Sequence, residues 1–408
     1  MDGWLPGFEP DATSEESDVL PLEELRALIV PDGHGVLPSQ GILGLMKGGH
    51  IQATPSIDER QIQPASLDLR LGNEAHRLQA SFLPGSGSRV ASTLADLSMT
   101  TLDLSSPTLL EKGCVYLVKL MEELRLPDEL SAKANPKSTT GRLDIFTRLI
   151  TDYGGAFEHV QPGYSGPLYA EIMPRTFSVV VREGLSLSQI RFIRGDPRQT
   201  EAQLKKLDRE ERLVYLDAAS PGKAEVRDGG VEISVSLDLG RDVEACAYRG
   251  KRNTPLVDLE GRYEPAQFWD MIRDCPQDRL ILDPGDFYVL ASREKVRVPC
   301  GYAAEMVPFD PSVGEFRIHY AGFFDPGFGY GDGSITGTRA VLEVRAHETP
   351  FMIEDGQVVG RLIYSRMLDV PQKIYGTSIG SSYQQQELAL SKQFRRSPAH
   401  PSPGQGRP

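Results

Sequence analysis

The feature that most constrains this chain is an internal repeat. Leu110-Glu111-Lys112-Gly113-Cys114-Val115-Tyr116-Leu117-Val118 parallels Leu282-Asp283-Pro284-Gly285-Asp286-Phe287-Tyr288-Val289-Leu290 at an offset of 172 residues. The offset persists at Pro127/Pro299, Ala132/Ala304 and Pro136/Pro308. It slips to 164 where Gln161-Pro162-Gly163-Tyr164 faces Asp325-Pro326-Gly327-Phe328, then returns to 172 at Glu171/Glu343 and Gly184/Gly356. Strands must keep register while surface loops accept insertions, so a spacing kept through an ordered series and broken once predicts a duplicated domain.

The repeated unit reads as sheet. With 40 glycines and 30 prolines among 408 residues, long helices and coiled coils are disfavoured. Short apolar and β-branched runs such as SLDLRLG, CVYLVKL, PLYAEIM, FSVVVREG and SQIRFIRG read as strands between Gly and Pro breaks. The expected organisation is a mainly all-β chain: an acidic arm over 1–36 with one helical piece, LPLEELRALIV, then a β domain over 37–195. A charged helical linker over 196–229, a second β domain over 230–368 and a C-terminal segment over 369–408 complete it.

Several function classes drop out. No stretch reaches the roughly 18 apolar residues that cross a bilayer. The acidic start lacks the basic and apolar regions of an export signal, and Cys114, Cys246, Cys275 and Cys300 form no CxxC pair. A cytoplasmic protein with reduced thiols is the expectation. The formal net charge of −13 gives no long-range attraction to nucleic acid or anionic lipid, so any anionic ligand must be held locally. The window 131–195 is net positive, which a solvated surface would equally explain. No zinc-ligand spacing, Walker A loop, dinucleotide fingerprint or GxSxG elbow is present. The glycine-rich Gly327–Gly337 stretch has no Lys or Arg before Arg339 and falls in the longer loop of the second copy, so it reads as a turn rather than a phosphate cradle.

Three first-copy segments remain: Ala134-Asn135-Pro136-Lys137-Ser138-Thr139-Thr140-Gly141-Arg142-Leu143, Gln161-Pro162-Gly163-Tyr164-Ser165-Gly166 and Leu168-Tyr169-Ala170-Glu171-Ile172. The first sets hydroxyls and two cations around a glycine; the third sets a carboxylate in an apolar strand, where Glu is disfavoured unless paired or working. Taken with Pro64-Ala65-Ser66-Leu67-Asp68-Leu69-Arg70-Leu71-Gly72, Tyr375 and Ser381-Ser382-Tyr383-Gln384-Gln385-Gln386, the set resembles the deoxycytidine triphosphate deaminases, within the trimeric deoxyuridine triphosphatase superfamily. The resemblance covers 37–195 and the tail, and the second copy more loosely, as in a long duplicated bacterial form.

That resemblance implies two tandem distorted β-barrel or jelly-roll domains of the deoxyuridine triphosphatase type, trimers or multiples of them with sites between subunits, and deamination of dCTP to dUTP, a step feeding dUMP and dTMP synthesis. It further implies Mg²⁺ on the triphosphate, no catalytic zinc, and dTTP as a candidate feedback ligand. Carried over residue by residue, Glu171 would be general base and proton shuttle, Ser138 would place the water, and Arg142 would bind and polarise. Lys137, Ser138, Thr139, Thr140, Gly141 and Arg142 would contact nucleotide, with Gln161 at the hairpin turn. Tyr169 and Ala170 would flank the base, and Tyr375 and Gln386 would lie on a closing tail. The chemistry stands without the name: water must attack C4 while protons reach N3 and the departing ammonia, work that one Glu can do if burial raises its pKa.

Plain alternatives exist for each residue. Glu171 could form a buried ion pair with an arginine, Ser138 and Thr139 could cap a helix, and Arg142 could pair with Asp144 on the surface. SKQFRRSPAHPSPGQGRP reads as disordered tail. Two positions depart from the family pattern: Gln161 stands where an Asp is usual, and Ser382 where a Lys is usual. The second copy keeps Asp325 and Glu343 but has Phe309-Asp310-Pro311-Ser312-Val313-Gly314-Glu315 in place of the cationic turn. It is therefore expected to be structural, with the reach of Asp325 and Glu343 toward the first copy's site left open. A deoxyuridine triphosphatase or bifunctional enzyme, and a non-catalytic nucleotide sensor, are the competing readings.

Overall fold

The computed structural model describes residues 33–395 except 218–219, 241–242, 244, 309–315, 319–321, 347 and 377–386. The helical piece of the arm, the Phe309–Glu315 turn, Ser382 and Gln386 therefore lie outside the described residues. Among the described residues, seven strands of each half form the repeated framework. In the first they are β1 (Leu67–Leu78), β2 (Val115–Arg125), β3 (Leu130–Pro136), β4 (Ile145–Thr151), β5 (His159–Val160), β6 (Ser165–Pro174) and β7 (Ser186–Arg194). In the second they are β8 (Gly230–Ser236), β9 (Phe287–Val296), β10 (Tyr302–Pro308), β11 (Phe316–Ile318), β12 (Phe323–Phe324), β13 (Thr338–Ala346) and β14 (Val358–Arg366). The helices are α1 (Ser39–Lys47), α2 (Val90–Leu97), α3 (Ser138–Gly141) and α4 (Glu201–Glu211).

The first half is hydrogen-bonded in the order β4-β6-β2-β1-β7-β3-β5. The second runs β11-β13-β9-β8-β14-β10-β12, the same order with each strand advanced by one repeat. Register repeats too: Ala170 faces Val118 as Leu342 faces Leu290, and Phe192 faces Ala132 as Tyr364 faces Ala304. The arm ends earlier than expected, since Gly35 and Val36 already pair with Arg194 and Ile193 of β7.

Alternation decides what each strand buries. On β6, Leu168, Ala170 and Ile172 enter the first core, leaving Tyr169 and Glu171 on the opposite face. The same parity on β13 sends Ala340, Leu342 and Val344 into the second core, while Val341 packs against the first. The halves are not separate bodies. Phe287, Val289, Phe268, Trp269 and Phe394 all belong to the first core, and Val257–Asp258 pairs in parallel with Val179 and Val180.

The linker is a packed element. Thr200 and Gln203 close a capping box at the start of α4, Leu204 and Leu207 are buried, and Val214–Tyr215 pairs with Val296 and Lys295 of β9. The glycine-rich stretch is a turn: Gly327, Gly329, Gly331, Gly333 and Gly337 all have positive φ, and a Cβ on Gly337 would come within 2.5 Å of the Lys295 carbonyl. Cys246 and Cys275, distant in sequence, share a hydrogen bond as free thiols, which with burial pushes the Cys275 thiol up. Among the described residues no helix is long and apolar enough to cross a membrane.

Candidate functional site

The turn that opens the site is held from behind. Pro136 ends β3, the Lys137 amide donates to the Leu187 carbonyl, and the Thr140 hydroxyl donates to the same oxygen at 2.8 Å. One short turn of helix, α3, then presents Ser138 and delivers Arg142 into the interior, where it is 3% exposed. Lys137 pairs with Asp68 of β1. Arg142 does not pair with Asp144 on a surface: its Nη1 donates to the Ala389 carbonyl at 3.0 Å, and its Nε lies 4.0 Å from Oε1 of Glu343.

Glu343 comes from β13 of the second half and is 6% exposed. Burial pushes its carboxyl up to about 8, the Arg142 charge opposing the rise and the Asp144 charge adding to it. Asp325, at the end of β12, accepts from Arg191 Nη2 at 2.8 Å, while Arg191 Nη1 holds the Ala304 carbonyl at 2.8 Å and its guanidinium stacks 4.0 Å over Phe323. The Asp325 charge also reaches Asp68, the partner of Lys137. Arg142 of one half thus faces Glu343 of the other, and Lys137 reaches the neighbourhood of Asp325 through Asp68. Asp325 and Glu343, whose reach was left open, both extend to residues of the first half.

Glu171 stands elsewhere. It is 2% exposed, and its Oε1 accepts from Nε of Arg148 at 3.0 Å and again from Nη2. The plain alternative, a buried ion pair, is the one formed, and no hydrogen bond or ion pair joins Glu171 to Ser138 or Arg142. Its face of the sheet is sealed by the chain's own residues 79–97. Phe82, Leu94 and Leu97 pack with Leu117, Ile150 and Tyr169, and Ser81 receives a 2.7 Å bond from Arg148. The Val90 amide on Asp152 and Arg89 on the Tyr153 hydroxyl fasten the cover.

The other expected residues divide. Tyr169 and Ala170 point to opposite faces, so their side chains do not line one pocket together. Gln161 is exposed at its hairpin turn. Tyr375 packs against Phe328 with the rings tilted 52° and centroids 5.5 Å apart, beside the Asp325 hairpin. The tail is not free coil throughout. Ser391 donates to the Thr139 carbonyl at 2.8 Å, Gln393 to the Leu259 carbonyl at 2.8 Å, and Phe394 inserts among Phe177, Phe268 and Trp269 at 4% exposure. Sequence reasoning missed this strap; a lone Phe in a polar run was its only signal. Lys392, on the strap, is lowered by burial and by the like charges of Lys137 and Arg262.

Comparison with known proteins matches two family models in tandem. The N-terminal domain of 2'-deoxycytidine 5'-triphosphate deaminase covers residues 33–196, and its C-terminal domain covers residues 200–394. A crystal structure of 2'-deoxycytidine 5'-triphosphate deaminase from Agrobacterium tumefaciens is 49% identical, spans 84% of this chain and 100% of its own, and superposes with a TM-score of 0.77. A dCTP deaminase of Haloarcula marismortui is 29% identical over 160 residues, covering 38% of this chain and 79% of its own. A dUMP-forming dCTP deaminase of Methanobrevibacter smithii is 25% identical over 193 residues, covering 45% of this chain and 96% of its own.

Proposed function

The chain belongs to the 2'-deoxycytidine 5'-triphosphate deaminase family, and from that premise we propose that it converts dCTP and water to dUTP and ammonia at the seam between its halves, with Glu343 as the general base. The observation that carries this is the pairing of a buried, proton-retaining Glu343 with Arg142 across the seam. Glu171 is the same residue of the repeat, but two donors of Arg148 claim one oxygen and residues 79–97 close its face. A base must be reachable by the proton it takes.

In this reading Ser138 holds the water against C4 and Glu343 accepts its proton. Glu343 then returns a proton to N3 and passes the next to the departing amine, so the carboxylate ends as it began. Arg142 keeps Glu343 and the ring in place, a positioning benefit of several kcal/mol on the usual scale. Lys137, Lys392 and Arg262 supply positive charge for the triphosphate, with the strap giving the phosphate contact that Ser382 does not. Magnesium would arrive on the substrate, whose triphosphate oxygens are the hard ligands it prefers.

Purified full-length protein with Mg²⁺ and dCTP should yield dUTP. Glu343→Gln should lose activity by a factor on the order of 10³, while Glu171→Gln stays within about threefold, having no contact with the reacting atoms. The reverse ranking would overturn the assignment. A further step to dUMP and pyrophosphate has one observation in its favour: Asp325 puts a carboxylate where the other copy has Gln161. That carboxylate is already engaged by Arg191 Nη2 at 2.8 Å, so pyrophosphate release from dUTP is expected to be absent.

A further inference from the structure

Arg142 and Glu343 face each other at 4.0 Å, beyond hydrogen-bond range, so their contact cannot by itself fix the geometry of the pair. Two residues further along each chain segment lies a second pair of opposite polarity. Asp144 follows Arg142 and is fully buried; Arg345 follows Glu343 on the same face of β13. Asp144 and Arg345 are hydrogen-bonded across the seam. The Thr176 hydroxyl donates to Asp144 Oδ2 at 2.6 Å and accepts from Arg345 Nη2 at 2.9 Å, which closes a triangle. Arg345 Nη1 reaches back to the Gly285 carbonyl of its own half. Asp144 takes a left-handed backbone conformation, φ 54°, uncommon for a residue other than glycine.

We propose that the Asp144–Arg345–Thr176 triangle is a positioning device that docks the second half onto the first and sets the approach of Glu343 to Arg142. It rests on the reading of Glu343 as the base. Arg345 alone holds three groups drawn from both halves, and strain at Asp144 is affordable only where its surroundings determine it. The charges that act on Glu343 among the described residues are Arg142, which opposes the proton, and Asp144, which favours it; Arg345 lies two residues along the same strand face and pairs with Asp144.

The test is the pair replacement Asp144→Leu with Arg345→Met in the full chain. It exchanges a buried ion pair for apolar side chains and need not cost stability. With Tm matched to the parent, kcat for dCTP deamination should fall at least about tenfold while KM changes little, as expected of a misplaced catalytic group. In the single variant Asp144→Asn, with Arg345 kept, the acidic limb of the kcat profile should move to lower pH, because the Asp144 charge that favours the proton on Glu343 is gone. Arg345→Lys, which keeps the charge but not the fork, should recover part of kcat. Thr176→Val keeps both charges and should lower kcat about threefold, and it decides the matter if the double variant does not fold. Parent kcat and pH profile in folded variants would overturn the proposal. An active Glu343→Gln would instead remove the reading beneath it, whatever the triangle does.

Discussion

Glu171 and Glu343 occupy the same position of the same repeat, opposite Leu117 and Val289 at one register, yet they have opposite surroundings. The face bearing Glu343 is laid against the Lys137–Arg142 turn of the other half. The face bearing Glu171 is roofed by residues 79–97 and neutralised by Arg148. The first half carries the cationic turn and Gln161; the second carries an acidic turn, Asp325 and the glutamate that faces the other half. A head-to-tail contact brings different surfaces together, so only one of its two ends needs to stay functional when both partners lie in one chain.

The largest way to break this comparison is the paired substitution. Glu343→Gln should abolish turnover and relieve a destabilising group, whereas Glu171→Gln should spare turnover and destabilise. For Glu171→Gln the loss is expected at about 2 kcal/mol, below the 3–5 kcal/mol of a fully buried broken pair, because Arg148 is partly exposed and Gln still accepts a bond. Chemical denaturation with dCTP turnover measured on the same preparations separates the two. Equal stability loss at both positions would show that the surroundings do not differ as described.

The pH dependence sharpens it. The Glu343 carboxyl is raised from 4.5 to about 8 in the folded chain, so between those values the fold binds the proton more tightly than the unfolded chain does. Stability contributed by that proton is present at low pH and is lost as pH rises through about 8, with a slope of at most about 1.4 kcal/mol per pH unit. Glu343→Gln removes this slope, so its stability advantage over the parent should be small at pH 5 and grow toward pH 9. Turnover runs the other way, since the base must be ionised: kcat/KM should climb through about pH 8. Glu158 is also raised to about 8, chiefly by burial, but the charges that act on it are Arg148, Lys133 and Glu305, not Arg142 or Asp144. Glu158→Gln should leave the limb of the turnover profile where it is.

Much of this was legible in one chain of letters. The 172-residue offset, the strand runs and the Ser138–Arg142 turn depend on local pattern and on register, which sequence carries. Which glutamate meets that turn does not. The repeat offers Glu171 and Glu343 on equal terms, and the choice is made by a contact between residues about 200 positions apart, Arg142 and Glu343. Asp144 and Arg345 were invisible for the same reason: each is an ordinary charge until the seam buries both. The short FSVVVREG strand shrank to Val179–Val181, where it pairs with Val257–Asp258 of the second half, a partner no local pattern announces.

The smallest expected effect concerns the strap. Lys392 is lowered by burial and by its nearness to Lys137 and Arg262, the Asp68 carboxylate opposing the shift, and three cations beside one carboxylate leave an excess of positive charge that an anion would balance. A triphosphate is that anion in the proposed reaction. Lys392→Met retains the stem and removes the charge, so it should raise KM for dCTP about tenfold, the worth of one charge-assisted bond, and leave kcat nearly unchanged. Because Ser391 and Phe394 still anchor the strap on either side, stability should hold. The same substitution should matter less for dCMP, which lacks the outer phosphates, and an equal effect on both nucleotides would place Lys392 away from the triphosphate and leave the first half's turn to hold it alone.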